Sequence, residues 1–229
     1  MNNMKLIRIF FTLFLVMVAS SCSKIDNYDG PNAGISGTIT DNSTNAALQS
    51  EQPNGYRIRL IEDGYPVPLD FWGKADGTFK NTQLFADKYK VIPTQGPFLM
   101  PDTQVVNIGG QTIVNFTVTP FMTIKASAPT VVSKSVIVKY TITKPAQISD
   151  DIVRCITMAA KVPAVSNSVN DYNVGHDLSG MIYADIASAQ FSDTLKNLPS
   201  GTLYVRVGGR TSNGQGKYNY SEVFTVTIP

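Results

Sequence analysis

Apolar and polar residues alternate with a period of two along most of this chain, and no long helical period interrupts them. In residues 111–118, for example, Ile113, Asn115 and Thr117 face one way and the hydrophobic residues between them face the other way. Such alternation is typical of strands that bury one face. Pairs of tight-turn residues, Asp-Gly or Gly-Gly, separate several of the runs, at 63–64, 76–77 and 109–110. The pattern predicts an all-β protein.

The length of the chain indicates two domains of this kind. Without residues 1–21, 208 residues remain, enough for two domains of about 100 residues each. Thr119-Pro120 marks the predicted boundary, because proline cannot donate a hydrogen bond to a β-ladder. We therefore expect two consecutive β-sandwich domains, at residues 33–120 and 121–229.

The first 22 residues have the pattern of an export signal. Lys5 and Arg8 precede an apolar run at residues 9–19, and three small residues then lead to Cys22. The run is shorter than the roughly 20 residues of a membrane-spanning helix, and the pattern is typical of a secretory signal. The cysteine makes it resemble a bacterial lipoprotein signal, which is cut before a diacylated cysteine. We expect a signal peptide at residues 1–21 and lipidation at Cys22; the alternative is a soluble secreted protein cut nearby.

Residues 22–32 form the predicted lipidated tether. The segment is polar and ends in a Gly-Pro-Asn sequence, so we expect an irregular linker with a reach of roughly 35 Å when extended. Asp26 and Asp29 follow the cysteine closely. Acidic residues there resemble the export signal of Bacteroidetes lipoproteins displayed on the outer face of the outer membrane, although a solvated linker explains them equally well.

The charge balance excludes some partners. The whole chain has 19 basic and 17 acidic residues, and removing Lys5 and Arg8 with the signal leaves 17 of each. A neutral chain gives no electrostatic reason to expect a nucleic-acid partner. Attachment to the membrane must therefore come from acyl chains rather than from basic residues.

The sequence contains few residues of the types that catalyse reactions or bind metal ions. Cys155 lies in an apolar strand pattern, which predicts a small buried hydrophobic residue, and the single histidine, His176, lies in a polar stretch predicted to be a surface loop at residues 166–177. Neither a zinc ligand set nor any other metal or cofactor motif is apparent, and no nucleophile–base pair is visible. We expect a protein that is not an enzyme and has no cofactor.

Other charged residues are predicted to lie in solvent. The acidic pairs Glu62-Asp63 and Asp150-Asp151 fall in turns, and neighbours in sequence rarely give the two opposed carboxylates of a glycosidase. Arg206 and Arg210 are predicted to be exposed charges on a strand and a loop.

Motifs in the first predicted domain resemble a known family. The opening strand at residues 35–41, the turn Asp76-Gly77-Thr78-Phe79, and Leu84 followed by Tyr89-Lys90-Val91 are similar to the carboxypeptidase regulatory-like, prealbumin-type domain. The resemblance implies a β-sandwich scaffold without catalytic residues of its own.

The second predicted domain resembles a fibronectin type III, immunoglobulin-like module. The similarity lies in the turn and strand at residues 198–207 and in the closing strand at 220–228. Leu198 and Tyr204 have the spacing of a tyrosine corner. Alternation, however, places the hydrophobic residues on either side of Tyr204 inward and the tyrosine itself outward.

The order of signal, tether and two β-modules resembles an uncharacterised family of Bacteroidetes surface lipoproteins, commonly encoded beside starch-utilisation-type uptake systems. The resemblance implies a surface protein of the outer membrane that serves nutrient capture. One hypothesis is non-catalytic binding of a polysaccharide or oligosaccharide, with Phe71, Trp72, Tyr172 and Asn173 as candidate contacts. The alternative for Phe71 and Trp72 is structural: one of the pair lies in the core and the other covers it. The other hypothesis is a spacer or docking module of an outer-membrane uptake complex, without a ligand.

Overall fold

A computed structural model describes residues 29–229. The predicted signal peptide, Cys22, Asp26 and most of the predicted tether lie outside the described residues. Within the described part of the chain, no helix is long and apolar enough to cross a membrane. Residues 31–229 form one unit.

Nine strands build the first sandwich. They are β1 (Ala33–Asp41), β2 (Arg57–Glu62), β3 (Tyr65–Trp72), β4 (Thr78–Leu84), β5 (Asp87–Gln95), β6 (Phe98–Leu99), β7 (Gln104–Ile108), β8 (Gln111–Ile113) and β9 (Phe116–Pro120). One sheet has the order β4-β1-β9-β6, with β8 also paired to β1, and the other has the order β3-β2-β5-β7. Alternate residues point between the sheets, so Ile58 and Leu60 of β2 are buried in the same core as Phe79 and Phe116.

The second sandwich follows directly. Its elements are β10 (Thr123–Ala126), β11 (Thr130–Val132), β12 (Ser135–Thr143), β13 (Ile152–Ala160), β14 (Tyr172–Asp177), the short helix α1 (Tyr183–Ser188), β15 (Phe191–Leu195), β16 (Gly201–Thr211), β17 (Asn219–Tyr220) and β18 (Phe224–Ile228). One sheet has the order β10-β12-β11, with β15 paired to β12, and the other has the order β14-β13-β16-β17, with β18 paired to β16. The all-β prediction with two consecutive sandwiches is confirmed.

The sheet that contains β13 and β16 is buried on both faces. Its inner face carries Leu203, Val205 and Val207 in the main core of the second sandwich. Its outer face carries a separate apolar cluster that includes Met158 and Tyr220, with Tyr204 packed against it. The predicted outward orientation of Tyr204 is therefore confirmed, and the double burial explains why nearly all of β13 is apolar.

The predicted surface loop at residues 166–177 is wrong in its second half. Tyr172–Asp177 form β14, which pairs with β13 in antiparallel register. The strand lies at the edge of its sheet, where Asn173 and Asp177 are exposed and His176 is half-buried. This composition made the strand look like a loop.

Gly37 is the position in β1 that tolerates least change. The strand pairs with β8 up to Ser36 and with β9 from Ile39 onward, and the connection between those two strands passes close to Gly37. A Cβ atom at Gly37 would lie 1.7 Å from the carbonyl oxygen of Val114. Only glycine allows this close approach of two backbones.

We expect Gly37→Ala to lower the free energy of unfolding by about 2–3 kcal/mol, because the strands must move apart to admit the methyl group. Urea titration followed by circular dichroism measures the loss. Gly109→Ala is the matched control, since a Cβ atom there meets nothing within 4 Å, and it should leave stability nearly unchanged. Equal stabilities for the two variants would contradict this account of Gly37.

Candidate functional site

The structure separates Phe71 from Trp72. Phe71 is half-buried and packs against the first core, with its ring centroid 6.3 Å from that of Phe79. Trp72, the next residue, points to the opposite face of the sheet and is 37% exposed. Phe71 is therefore a core residue, while the indole of Trp72 is accessible from outside.

Charged side chains surround the exposed indole. Strand pairing places Arg57 directly opposite Trp72, and Arg59 directly opposite Asp70. The guanidinium carbon of Arg57 lies 4.8 Å from the ring centroid of Trp72, and Nζ of Lys217 lies 5.2 Å from it. We refer to these five residues as the Trp72 cluster. Lys217 comes from the second sandwich, so both sandwiches contribute to the cluster.

Asp70 holds the two arginines in place. Arg59 donates from Nε and Nη2 to the two carboxylate oxygens of Asp70, each at 2.8 Å, and Arg57 donates from Nη1 at 3.0 Å. The hydrogen bond from Arg59 lowers the pKa of the Asp70 carboxyl, which favours its charged form. Burial lowers the pKa of Lys217, whose ammonium group donates to the carbonyl oxygen of Asn54. Arg57 and Lys217 thus lie over the aromatic ring, and Arg59 and Asp70 complete the cluster.

Tyr172 and Asn173 lie elsewhere, on β14 of the second sandwich. Tyr172 is half-buried against the core of that sandwich. Asn173 is exposed, and its amide donates to Oδ1 of Asn170 at 2.9 Å. The four candidate residues named from the sequence therefore do not form one site, and only Trp72 stands within a cluster of polar groups.

His176 has an acidic partner that the sequence did not indicate. Its Nε2 lies 2.6 Å from Oδ1 of Asp193, a buried residue on β15. The hydroxyl groups of Tyr140 and Thr157 donate to Oδ2 of the same carboxylate, at 3.0 and 2.5 Å. The separation of 17 residues between His176 and Asp193 hid the pair. The network satisfies a buried carboxylate, which is a structural role.

Cys155 lies beside this network. It is fully buried, and its Sγ atom is 3.1 Å from the hydroxyl oxygen of Tyr140. Burial raises the pKa of the Cys155 thiol to about 11, so the thiol is protonated at neutral pH. The prediction that Cys155 is a buried residue is confirmed.

The prediction that Arg206 is exposed is wrong. Only 1% of the residue is accessible to solvent. Its Nη1 donates to the carbonyl oxygens of Ser50, at 2.9 Å, and Val165, at 3.2 Å, and its Nε donates to that of Ser221 at 3.0 Å. The guanidinium carbon lies 4.3 Å from the ring centroid of Tyr220. Because Ser50 belongs to the first sandwich, this arginine bridges the two sandwiches.

The side chains around Arg206 complete the bridge. The hydroxyl of Tyr220 donates to Oε2 of Glu51 in the first sandwich at 2.6 Å. Burial lowers the pKa of Arg206 to about 10, which still leaves it charged at neutral pH. Alternation places Arg206 on the outer face of β16, and the first sandwich covers that face.

Arg210, which was also predicted to be exposed, is half-buried. Its guanidinium carbon lies 5.8 Å from the ring centroid of Tyr218.

The acidic pair Glu62-Asp63 lies at the hairpin between β2 and β3. Asp63 is exposed and forms an ion pair of 3.4 Å with Lys88. Both acids border a cavity of about 430 Å³ together with Tyr65, which is 58% exposed. In residues 29–229, no group of three or more His, Cys, Asp or Glu side chains has the geometry to hold a metal ion.

The fold and the Trp72 cluster describe a two-module β-sandwich protein with an aromatic surface site. Residues 33–119 match the family model described as "Protein of unknown function (DUF3823) N-terminal domain". No curated protein matches the chain.

Solved structures share the whole two-sandwich fold. A DUF3823 family protein from Bacteroides uniformis is 22% identical with a TM-score of 0.76, and one from Parabacteroides merdae is 23% identical with a TM-score of 0.73. A further Bacteroides uniformis protein, described as "a putative carbohydrate binding protein", is 19% identical with a TM-score of 0.73. Each comparison covers 87% of this chain and 100% of the other chain. At these identities the likeness establishes the fold alone.

We expect Arg206→Met to lower the free energy of unfolding by about 3–5 kcal/mol, because three buried carbonyl oxygens lose their donor. Urea titration followed by circular dichroism measures the change. Arg154→Met is the control, since Arg154 is an exposed arginine on the neighbouring strand β13. A loss no larger than that of the control would show that the buried guanidinium does not hold the sandwiches together.

Proposed function

We propose that the protein is a non-catalytic carbohydrate-binding protein whose ligand contacts the exposed part of Trp72 and the polar side chains around it. The exposed indole on the outer face of a rigid sheet, set among polar groups with fixed positions, carries this proposal. A sugar ring has an apolar C–H face that packs on an aromatic ring and hydroxyl groups that need hydrogen-bond partners. An aromatic side chain beside charged donors and acceptors supplies both.

Hydrogen bonds restrain the charged side chains of the Trp72 cluster. Arg57 and Arg59 donate to Asp70, and Lys217 donates to the backbone of Asn54. Such restraints reduce the conformational entropy that side chains lose on binding a ligand, which supports the proposed site. The carbohydrate-binding description of a structural relative from Bacteroides uniformis supports the same class of ligand.

The alternative function, docking by strand addition, has less support at this part of the fold. Strand β3 ends the β3-β2-β5-β7 order and contains Pro66 and Pro68. Proline offers no backbone N–H to an added strand, and it is a common means of protecting the edge of a sheet. The edge nearest Trp72 is therefore poorly suited to strand addition.

Trp72 is the only tryptophan in the chain, which makes its fluorescence a direct reporter of binding. We expect a panel of neutral and acidic oligosaccharides to include at least one that shifts or quenches its emission. In calorimetry with that ligand, Trp72→Ala should weaken binding about tenfold or more, about 1.4 kcal/mol.

Tyr65→Ala is the matched control, because it removes another exposed aromatic side chain from the same strand. It should bind like the native protein. If no oligosaccharide changes the emission of Trp72, or if both variants lose affinity equally, the proposed ligand site is wrong.

We also propose that the mature protein is anchored by lipid at Cys22 on the outer membrane, at the cell surface, as an accessory of a nutrient uptake complex. The charged start, short apolar run and following cysteine support the anchor. The acidic residues of the tether support display on the outer face. A glycan-binding role agrees with this location.

In the native host, the protein is expected to incorporate a labelled fatty acid, and Cys22→Ser should abolish the label because the acyl chain is attached to the thiol. Metabolic labelling followed by immunoprecipitation measures the incorporation. The neighbouring substitution Ser23→Ala should leave the label unchanged. Fatty-acid label on Cys22→Ser at the native level would exclude lipidation at Cys22.

A further inference from the structure

The Trp72 cluster carries more positive charge than its one carboxylate balances. Asp70 is shared by two arginines, since Arg59 donates to both of its oxygens at 2.8 Å and Arg57 donates to Oδ2 at 3.0 Å. Within residues 29–229, neither guanidinium forms an ion pair with any other carboxylate. One of the two arginine charges is therefore left without an acidic partner of its own.

Lys217 adds a further positive charge to the cluster. Its ammonium group donates to the uncharged carbonyl oxygen of Asn54, and it forms no ion pair with a carboxylate of the described residues. Burial lowers the pKa of Lys217, the negative charge of Glu51 opposes that shift, and the positive charge of Arg57 adds to it. Because Arg57 and Lys217 repel each other, an anion placed beside them is attracted by both.

Glu51 does not remove this excess of positive charge. Its carboxylate accepts a hydrogen bond from the hydroxyl of Tyr220 at 2.6 Å. Burial lowers the pKa of the Arg206 guanidinium, and the negative charge of Glu51 is among the effects that oppose that shift. The one acid therefore acts on two cations, Arg206 and Lys217, and the Trp72 cluster keeps its excess.

Several arginine donors of the cluster are available to a ligand. A guanidinium has five N–H groups. Within the part of the chain that the structure describes, Nε and Nη2 of Arg57 and Nη1 of Arg59 have no acceptor. The side chains of Arg57 and Arg59 are 28% and 36% exposed. Donors of this kind bind the oxygens of carboxylate and sulfate groups well, because the hydrogen bonds are assisted by charge.

The same cations lie against the exposed indole. The guanidinium carbon of Arg57 and Nζ of Lys217 lie 4.8 and 5.2 Å from the ring centroid of Trp72. A ligand that contacts the exposed part of Trp72 is therefore close to both cations. The excess is local, because the chain without its predicted signal has 17 basic and 17 acidic residues. It thus favours an anionic ligand at this site rather than anions in general.

We infer that the ligand of the Trp72 cluster is an acidic saccharide, in which a carboxylate or sulfate group binds Arg57 and Lys217 while the sugar ring contacts the exposed part of Trp72. This inference rests on the proposed carbohydrate-binding function and adds to it the charge of the ligand. Arg57 and Lys217 are the residues that select for the anionic group. Because Lys217 belongs to the second sandwich, both sandwiches take part in that selection.

The test compares saccharides that share a backbone and differ in charge. Oligogalacturonides are paired with their methyl esters, and sulfated galactan oligosaccharides with their desulfated forms. Calorimetry and the emission of Trp72 follow each titration. We expect the charged member of at least one pair to bind about tenfold tighter than its neutral partner. Raising the NaCl concentration from about 50 to about 500 mM should weaken the charged member severalfold. The pair that responds distinguishes a carboxylate from a sulfate.

Two variants test the residues that select for the charge. Arg57→Gln and Lys217→Met should each weaken the charged saccharide about fivefold or more and leave its neutral partner within about twofold. A fold defect would weaken both members of the pair. Lys80→Met is the control, since Lys80 is an exposed lysine on β4 in the other sheet of the first sandwich, and it should affect neither member.

The outcomes separate this inference from the proposed function. Equal affinity for charged and neutral members, or a charged member that neither variant weakens, would overturn the inference and leave a carbohydrate site at Trp72. Poly-glutamate that binds as tightly as the charged saccharide would also overturn it, by showing a general anion site. If no saccharide of either kind changes the emission of Trp72, the proposed function itself is wrong.

Discussion

The buried guanidinium of Arg206 determines how the two halves of this protein stand against each other. A charged group with 1% exposure is stable only where several acceptors surround it. Here the backbone carbonyls of Ser50, Val165 and Ser221 provide them, and Tyr220 packs its ring on the charge. Ser50 belongs to the first sandwich, whereas Val165 and Ser221 belong to the second, so the full set of acceptors is present only when the sandwiches are in contact. The relative placement of the two modules is thus set by hydrogen-bond geometry as well as by apolar contact.

The Trp72 cluster depends on that placement. Lys217 reaches Trp72 from the second sandwich, whereas Arg57, Arg59 and Asp70 belong to the first. The complete cluster therefore does not exist within one sandwich alone.

The fold was predictable because its signals are local. Period-two alternation and Gly-containing turns report which face of each strand is buried, and they placed Tyr204 on the correct side of β16. The errors came from features that a local pattern cannot encode. Arg206 looked like an exposed strand residue because nothing in its neighbourhood reveals that the first sandwich covers it. His176 looked isolated because Asp193 lies on another sheet and is adjacent only in space.

The candidate site was predictable only in part, for the same reason. A lone tryptophan after a strand marked Trp72 as a candidate, but the register that brings Arg57 opposite it follows from pairing with β2. Tyr172 and Asn173 were chosen by residue type, and the structure places them on a different sandwich. A cleft between the sandwiches had no signal in the sequence, since residues from distant parts of the chain combine to line it.

The hydrogen bond between Tyr220 and Glu51 limits how freely either sandwich can be exchanged for another domain. β-Sandwich domains are often treated as independent units that can be recombined freely. Here the hydroxyl of Tyr220 in the second sandwich donates to the carboxylate of Glu51 in the first, and the two residues are 169 positions apart in the chain. Exchange of one module for a foreign sandwich would leave Glu51 without its partner and Arg206 without its acceptor at Ser50. The pair of sandwiches is therefore the unit that can be transplanted or duplicated.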